Sequence, residues 1–245
     1  MSRDGVLGGQ VALVTGASRG IGLAIASRLA RMGARVAVCA RGEKQLRQAA
    51  EGLRAEGLQV VEIVADVSRS DEVTALVHHT RQTTGPIDIL VNNAGIGVFA
   101  PFHELDESQW DKVLGANLKS AFLVSRAVVP EMIQRKTGHI IHISSLAGKN
   151  TFANGSIYCA SKWGLQGLAG CMAEDLRGYG IRVSTICPGS VATNFAGQSS
   201  KDPATLPRPE DVAHVVAALV TQEPNSFISE VQMRPTRKPQ TSAVR

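Results

Sequence analysis

The stretch QVALVTGASRGIG, residues 10–22, decides the predicted fold. It opens with a short aliphatic run over 10–15, and glycines follow at positions 16, 20 and 22. Apolar residues then recur at the spacing of an amphipathic helix, at Ile21, Ile25, Leu29 and Met32. The pattern predicts a strand, a glycine turn and a helix, in that order.

The same alternation continues to the end of the chain. Further strands are predicted over residues 34–39, 58–65, 87–92, 139–144, 181–187 and 227–233. Further helices are predicted over residues 43–56, 69–84, 106–134 and 156–179, with a last one from Pro209. Strands that alternate with helices pair in parallel through right-handed crossovers. The predicted fold class is therefore α/β, a doubly wound Rossmann fold with one seven-stranded parallel sheet and helices on both faces.

The composition suits one globular domain. The chain has 245 residues, 44% of them apolar, and a mean hydropathy of +0.02, which provides enough aliphatic side chains for one large core. No Pro-, Gly- or Ser-rich linker divides it. We predict a flexible N-terminus over 1–9, a single Rossmann domain over 10–233 and a basic C-terminal tail over 234–245.

Charge and cysteine usage exclude several classes of protein. The formal charge is +5, but four basic residues lie in the tail and the rest of the chain carries only +1. A nucleic-acid-binding protein would need a basic stripe that the body of the chain lacks. No apolar run reaches the roughly 18 residues of a membrane span, and residues 1–10 lack the apolar core of a signal peptide. The four cysteines lack the spacing of metal ligands. Together these features predict a cytoplasmic protein with no metal, nucleic acid or membrane partner.

The glycine turn is suited to a phosphate group. Its glycines let the backbone approach a pyrophosphate, and the helix N-terminus beyond them offers free N–H groups and a partial positive charge. A glycine turn also serves as an ordinary tight connection, so the motif alone is a weak signal. Asp66 ends the third strand, where it is placed to accept a hydrogen bond from an adenine amino group. The fourth strand ends beside the same crevice with Asn92, Asn93, Ala94 and Gly95.

The end of the second strand distinguishes the two nicotinamide dinucleotides. An acidic residue there binds the ribose 2′-hydroxyl of NAD and repels the 2′-phosphate of NADP. Ala40 and Arg41 occupy this place. Arg41 and Arg19 suit either a solvated surface or charge-assisted hydrogen bonds to a phosphate. Because no carboxylate is present, we expect NADP(H) in preference to NAD(H).

A tyrosine and a lysine are set four residues apart on one predicted helix. Tyr158 and Lys162 therefore share a helix face, and the ammonium is expected to lower the pKa of the phenol from its usual value of about 10. Such a pair also arises by chance on solvated helices. Ser144 and Ser145 end the fifth strand, where a hydroxyl can reach the same crevice, and Asn117 adds a polar group from the preceding helix.

With these motifs, the chain resembles the short-chain dehydrogenase/reductase family over about residues 8–233. Within the family it is similar to the branch that reduces 3-oxoacyl thioesters, without that branch's C-terminal Asp-Gly-Gly signature. The resemblance rests on Thr15 to Gly22, Asp66, Asn92 to Gly95, Asn117, Ser145, Tyr158, Lys162, Pro188-Gly189 and Thr193, in the family's order and spacing.

The resemblance implies a role for each matching position. Tyr158 is implied as the acid/base, Ser145 as the group that polarises the substrate carbonyl, and Lys162 as a ligand of the nicotinamide ribose. Asn117 would hold a proton-relay water. Ser145 is preferred to Ser144 because the family's serine lies 13 residues before the tyrosine. The implied cofactor-binding residues are Gly16, Ser18, Arg19, Gly20, Ile21, Gly22, Arg41, Asp66, Val67, Asn93, Ala94, Gly95, Tyr158, Lys162, Pro188, Gly189, Val191 and Thr193.

The implied reaction is hydride transfer between NADP(H) and a small-molecule carbonyl or secondary alcohol, with carbonyl reduction favoured. Residues 229–235 read SEVQMRP where 3-oxoacyl reductases usually carry Asp-Gly-Gly, so a thioester reductase stays an alternative. An NAD-dependent polyol or hydroxy-acid dehydrogenase is another. A catalytically silent dinucleotide-sensing regulator is the third, although such regulators typically lose the tyrosine or lysine that this chain retains.

The substrate side and the oligomer are predicted from fewer signals. Only residues 194–208 separate the Pro-Gly turn from the last helix, so we expect a short lid and an open site. Candidate lining residues, each equally compatible with core packing, are Phe99, Leu146, Phe152 and Phe195. Small residues on the catalytic helix would let another helix approach, and the resemblance implies a four-helix interface in a homodimer or homotetramer. These small residues are Gly164, Gly167, Ala169 and Gly170.

Overall fold

Seven parallel strands form one sheet in the order β3-β2-β1-β4-β5-β6-β7. The computed structural model describes residues 5–195, 202–223 and 225–236. The strands are β1 Val11–Thr15, β2 Arg35–Ala40, β3 Val60–Val64, β4 Ile89–Asn92, β5 Gly138–Ile143, β6 Ile181–Pro188 and β7 Glu230–Met233. The helices are α1 Gly20–Arg31, α2 Glu43–Ala55, α3 Ser70–Thr84, α4 Glu107–Leu114, α5 Ser120–Arg135, α6 Ser156–Arg177 and α7 Pro209–Val220.

Helices cover both faces of this sheet, which confirms the predicted doubly wound α/β fold. The core on one face is formed with α1, α2 and α7, and includes Ile25, Leu46 and Val212. The core on the other face is formed with α3, α5 and α6, and includes Val73 and Val124. Strands that are covered on both faces are apolar at successive positions. All five residues of β1 are accordingly buried.

The helix predicted over 106–134 contains a turn that the sequence pattern did not indicate. The chain runs from α4 into α5 through a π-helical turn over Gly115–Lys119. Such turns inside α-helices frequently mark functional sites. The apolar periodicity does not reveal the turn, because one wider turn hardly changes which side chains face the core. It carries Asn117, which is buried.

The two ends of the chain differ in part from expectation. Residues 5–9, expected to be flexible, pack beside α1, where Leu7 is buried and its N–H donates to the carbonyl of Met32 at 2.9 Å. Strand β7 begins at Glu230, three residues later than predicted. Residues 1–4 and 237–245 lie outside the described part of the chain. The single domain over 10–233 and the basic tail stay predictions.

Three general features bear on the class of protein. Within the described residues, no helix has the length and apolar character needed to cross a membrane. The same residues contain no group of three or more His, Cys, Asp or Glu side chains that could hold a metal ion. The cysteines are free, with Cys39, Cys159 and Cys187 buried and Cys171 exposed.

The two halves of the sheet meet between β1 and β4. The strand order reverses there, and ligands of such sheets bind in the crevice at this point. Thr15 joins the two strand ends, because its Oγ1 accepts from the N–H groups of Asn93 and Ala94, both at 3.0 Å, and donates to the carbonyl of Val91 at 3.3 Å. Asn93 Nδ2 donates in return to the carbonyls of Thr15 at 2.9 Å and Gly16 at 3.1 Å.

Thr15→Val should destabilise the protein, because it leaves the N–H groups of Asn93 and Ala94 without their acceptor. Each unsatisfied buried polar group costs about 1–3 kcal/mol, so we expect urea denaturation to show a loss of roughly 2–4 kcal/mol in the free energy of unfolding. Thr15→Ser keeps the oxygen and should lose only about 1 kcal/mol, the value of one buried methyl group. Equal losses in the two variants would contradict this role of the hydroxyl.

Candidate active site

The turn between β1 and α1 is shaped to hold an anion. Gly16 and Gly20 have φ angles of +65° and +57°, in the left-handed region that favours glycine. A Cβ on Gly22 would lie 2.5 Å from both Asn93 Nδ2 and the carbonyl oxygen of Gly16. Arg19, at the N-cap of α1, makes no side-chain hydrogen bond to the helix. The first N–H groups of α1 are therefore available to an anion.

The turn after β6 closes over this site. Gly189 donates its N–H to the carbonyl of Met233 at 2.9 Å, which ties the turn to β7. Thr193 reaches the start of α1, since its Cγ2 would lie 3.4 Å from a Cβ on Gly20. Two turns that carry predicted cofactor residues are thereby brought together. These residues are Gly16, Ser18, Arg19, Gly20, Ile21, Gly22, Pro188, Gly189, Val191 and Thr193.

Arg41 and Asp66 meet where β2 and β3 end. Arg41 Nη1 lies 3.7 Å from Asp66 Oδ2, and the arginine side chain is 56% exposed. Burial raises the pKa of Asp66, but hydrogen bonds from the N–H and hydroxyl of Ser68 and the charges of Arg41 and Arg69 outweigh it and hold that pKa below its usual value. Asp66 is therefore an ionised acceptor at neutral pH, and Arg41 keeps donors free for a second anion. Val67, the next predicted residue, is buried.

Ser145, Tyr158 and Lys162 come together at the carboxyl end of β5. Tyr158 is 8% exposed and Lys162 is 4% exposed. Lys162 Nζ lies 5.8 Å from the centroid of the Tyr158 ring and donates to the carbonyl of Ile143 at 3.0 Å. The Ser145 side chain lies close enough to Tyr158 to counteract the rise in its pKa, and it accepts from the N–H of Ala147 at 3.1 Å. This arrangement places a hydroxyl, a phenol and an amine beside one crevice.

Burial determines the protonation of the phenol and the amine. It raises the pKa of Tyr158 to about 12, with the hydrogen bond from Ser145 acting in the opposite direction. It also lowers the pKa of Lys162 to about 8. The expectation that Lys162 lowers the pKa of Tyr158 is wrong for this structure, because desolvation dominates and Nζ is hydrogen-bonded to Ile143. Tyr158 carries its proton at neutral pH.

Asn117, in the π-helical turn, makes hydrogen bonds that connect α6 to the loop after β4. Its Oδ1 accepts from the N–H of Ile96 at 2.7 Å, and its Nδ2 donates to the carbonyl of Ile96 at 2.9 Å and to Ser161 Oγ at 3.0 Å. Ser161 Oγ in turn donates to the carbonyl of Tyr158 at 2.7 Å. The side chain therefore joins the loop after β4 to α6 and positions Tyr158. Its implied hold on a proton-relay water stays a prediction.

Several contributors were missed by the sequence analysis. Ile96 and Ile143 act through backbone atoms, which leave no signal in a sequence. For Ser161, the only signal in the sequence was a hydroxyl-bearing residue directly before Lys162. Ser144 is buried, and its Oγ has no hydrogen-bond partner among the described residues. Ser145, rather than Ser144, contacts Tyr158.

Two of the four predicted substrate residues contact the ring of Tyr158, and a third packs against one of them. Phe99 makes an edge-to-face contact with it at a centroid distance of 5.3 Å, and Phe195 lies 5.8 Å away. Phe152 packs on Phe99 at 5.9 Å. Leu146 lies against the turn after β6, where its Cδ1 would be 3.3 Å from a Cβ on Gly189.

Comparison with known proteins gives consistent matches along the chain. Residues 10–204 match the short chain dehydrogenase family. Dehydrogenase/reductase SDR family member 4 of Oryctolagus cuniculus is 35% identical over 243 residues, with 94% of each chain covered. A metagenomic short-chain oxidoreductase, solved in complex with NADP, is 47% identical with a TM-score of 0.84, and the match covers 95% of this chain and 99% of that one. A variant of an actinorhodin polyketide ketoreductase, solved with NADPH, is 34% identical with a TM-score of 0.85, covering 91% and 94%.

The sheet, its ligand crevice and these matches define an oxidoreductase of the Rossmann type. The chain belongs to the short-chain dehydrogenase/reductase family. The family resemblance inferred from the motifs is thereby confirmed.

Proposed function

We propose that this chain is an NADPH-dependent carbonyl reductase with Ser145, Tyr158 and Lys162 as its catalytic residues. The observation that carries the proposal is a buried phenol, protonated at neutral pH, that lies beside Ser145 and Lys162. A protonated phenol is suited to give a proton to a carbonyl oxygen, which favours reduction over oxidation near neutral pH. The similarity to a polyketide ketoreductase solved with NADPH supports the same direction.

Each catalytic residue has a separate task in this mechanism. The Ser145 hydroxyl donates a hydrogen bond to the substrate carbonyl oxygen, and Tyr158 transfers its phenolic proton to that oxygen. Lys162 is held in place by the carbonyl of Ile143 and would bind the nicotinamide ribose. Asn117 keeps α6 in position through its hydrogen bond to Ser161 Oγ. When bound, NADPH supplies the hydride that reduces the carbonyl carbon.

The residues present fit a dinucleotide phosphate. The uncapped N-terminus of α1 and the close approach allowed by Gly16 and Gly22 suit the pyrophosphate. Arg41 suits a 2′-phosphate, because it retains free donors beside Asp66. Glu43, a nearby carboxylate on α2, pairs with Arg47 at 2.6 Å.

Tyr158→Phe should abolish turnover while cofactor binding persists, because the variant keeps the ring and loses only the hydroxyl that donates the proton. A positioned general acid contributes about 10²–10⁴-fold, so kcat should fall by at least about 10²-fold. Tyr179→Phe is the matched control, since Tyr179 is the second tyrosine and is half exposed beyond the end of α6. Ketone-dependent oxidation of NADPH measures both variants. A Tyr158→Phe enzyme as active as wild type would remove Tyr158 from its proposed role.

Arg41→Ala should weaken NADPH binding about tenfold or more, equivalent to about 1.4 kcal/mol, because charge-assisted hydrogen bonds to the phosphate are lost. NADH binding should stay unchanged. Arg47→Ala, which removes an exposed arginine paired with Glu43, should affect neither cofactor. Fluorescence titration with each cofactor measures the dissociation constants. Equal weakening for NADPH and NADH, or tighter binding of NADH by the wild type, would count against the NADP preference.

We further propose a cytoplasmic homodimer or homotetramer built on α5 and α6. Trp163 is half exposed on α6, and Cβ atoms on Gly167 and Gly170 would meet nothing within 4 Å, so a second helix can approach there. Gly164 instead serves packing within the chain, because its Cβ would lie 2.8 Å from Leu118. The free cysteines are consistent with a reducing compartment.

Gly167→Glu should dissociate this assembly, because it places a charge in the helix interface. Light scattering after size exclusion should give wild type two or four times the chain mass of 25.9 kDa, with a lower mass for the variant. Gly52→Glu is the control, since Gly52 is exposed on α2 and its Cβ also meets nothing within 4 Å. A monomeric wild-type protein would overturn the proposal.

A further inference from the structure

Three phenylalanines from three different loops form an apolar wall around the catalytic tyrosine. This aromatic wall consists of Phe99 after β4, Phe152 before α6 and Phe195 after β6. The rings are 44%, 49% and 42% exposed, respectively. Exposed apolar surface that gathers at one place marks a binding site rather than a core. The wall therefore leaves apolar surface to be covered by a ligand beside Tyr158.

Two glycines give these rings the room they occupy. A Cβ on Gly97 would lie 2.9 Å from the rings of both Phe99 and Phe195, and a Cβ on Gly155 would lie 2.5 Å from the ring of Phe152. Because a side chain at either glycine would displace a ring, the local backbone is adapted to the wall.

The described parts of the three loops bring almost no charge to the wall. Residues 93–101 and 189–195 contain no charged side chain, and residues 144–156 contain only Lys149. Lys149 Nζ is already paired with Glu230 Oε2 at 2.5 Å. The described residues of these loops therefore offer no free cation to a carboxylate or phosphate, and the ammonium of Lys162 near Tyr158 is buried and already donates to the carbonyl of Ile143.

The apolar surface continues behind Phe152. A cavity of about 480 Å³ is lined by Phe152 together with Phe102, Cys159, Ala160 and Trp163, and by the polar residues Thr151, Asn154 and Ser156. The side chains that dominate it are aromatic or small. The described residues that line this cavity therefore add no positive charge beside Phe152, and among them Trp163 belongs to the proposed helix interface.

We infer that the substrate class is an uncharged aryl ketone whose ring packs against Phe99 and Phe195 while its carbonyl meets Tyr158. This inference rests on the proposed carbonyl reduction. The wall rings are already tilted by 48–71° to their neighbours at 5.3–5.9 Å, and aromatic pairs favour this geometry beyond simple burial. A planar ring extends that packing, whereas a saturated ring of the same size gains burial alone.

The test compares acetophenone with cyclohexyl methyl ketone, which has the same size without the aromatic ring, and with pyruvate, which carries a carboxylate. We measure kcat/KM with NADPH. Phe99→Leu and Phe195→Leu should each lower the ratio of kcat/KM for acetophenone to kcat/KM for cyclohexyl methyl ketone at least threefold. Because each variant's ratio is compared with that of wild type, the different intrinsic reactivities of the two ketones cancel. Phe227→Leu, outside the wall, should leave the ratio unchanged. Pyruvate should react at least tenfold more slowly than acetophenone in wild type.

If both wall variants leave this ratio unchanged, the preference for an aryl ketone is overturned. If wild type turns over pyruvate as well as acetophenone, the preference for an uncharged substrate is overturned. A second measurement separates this inference from the proposed function. The Tyr158→Phe variant, loaded with NADP⁺, is titrated with each compound by ligand-detected NMR. Preferential binding of acetophenone that Phe99→Leu weakens supports the aryl site even if no ketone is reduced. Equal binding of all three compounds overturns it even if reduction is found.

Discussion

The hydroxyl of Thr15 is the contact on which the rest of the site depends. The backbone ladder between β1 and β4 ends at the pair Val14 and Val91, one residue before Thr15. Beyond that point the side chains of Thr15 and Asn93 replace the ladder. The half of the sheet with β1, β2 and β3 carries the glycine turn and Arg41, and the half with β4, β5 and β6 carries the proposed catalytic groups. A site that spans both halves therefore needs these bonds to hold its parts at fixed distances.

The proposed catalytic side chains are placed mainly by hydrogen bonds to the backbone. Lys162 is held by the carbonyl of Ile143, and Asn117 is held by both polar groups of Ile96. Because the sheet orders the backbone atoms at its strand ends, it also fixes the positions of the proposed catalytic groups that bind to them. The same burial favours the neutral forms of Tyr158 and Lys162. His142, on β5, stays neutral because burial, followed by the charge of Lys162, lowers its pKa to about 4.

The parts predicted from sequence are those with a periodic or compositional signal. The strand and helix alternation follows from apolar spacing, and the glycine turn follows from residues such as Gly22 that no larger residue can replace. The π turn around Asn117 and the hold of Ile143 on Lys162 left no such signal, because they depend on backbone hydrogen bonding. The pKa of Tyr158 was mispredicted for a related reason. Spacing along a helix shows which groups are neighbours, but burial and hydrogen-bond direction appear only in three dimensions.

The cofactor side and the substrate side of this site are under different physical constraints. Gly16 and Gly22 lie against the sheet, where an added Cβ would meet backbone or Asn93 within about 3 Å, so substitution there disturbs the fold itself. Phe99, Phe152 and Phe195 lie on loops and are half exposed, so replacing them costs little packing. The chemistry around Tyr158 can therefore be kept while the surface that selects the substrate changes. Under the proposed function, the aromatic wall bears on the choice of substrate, whereas the glycine turn bears on cofactor binding and on the fold.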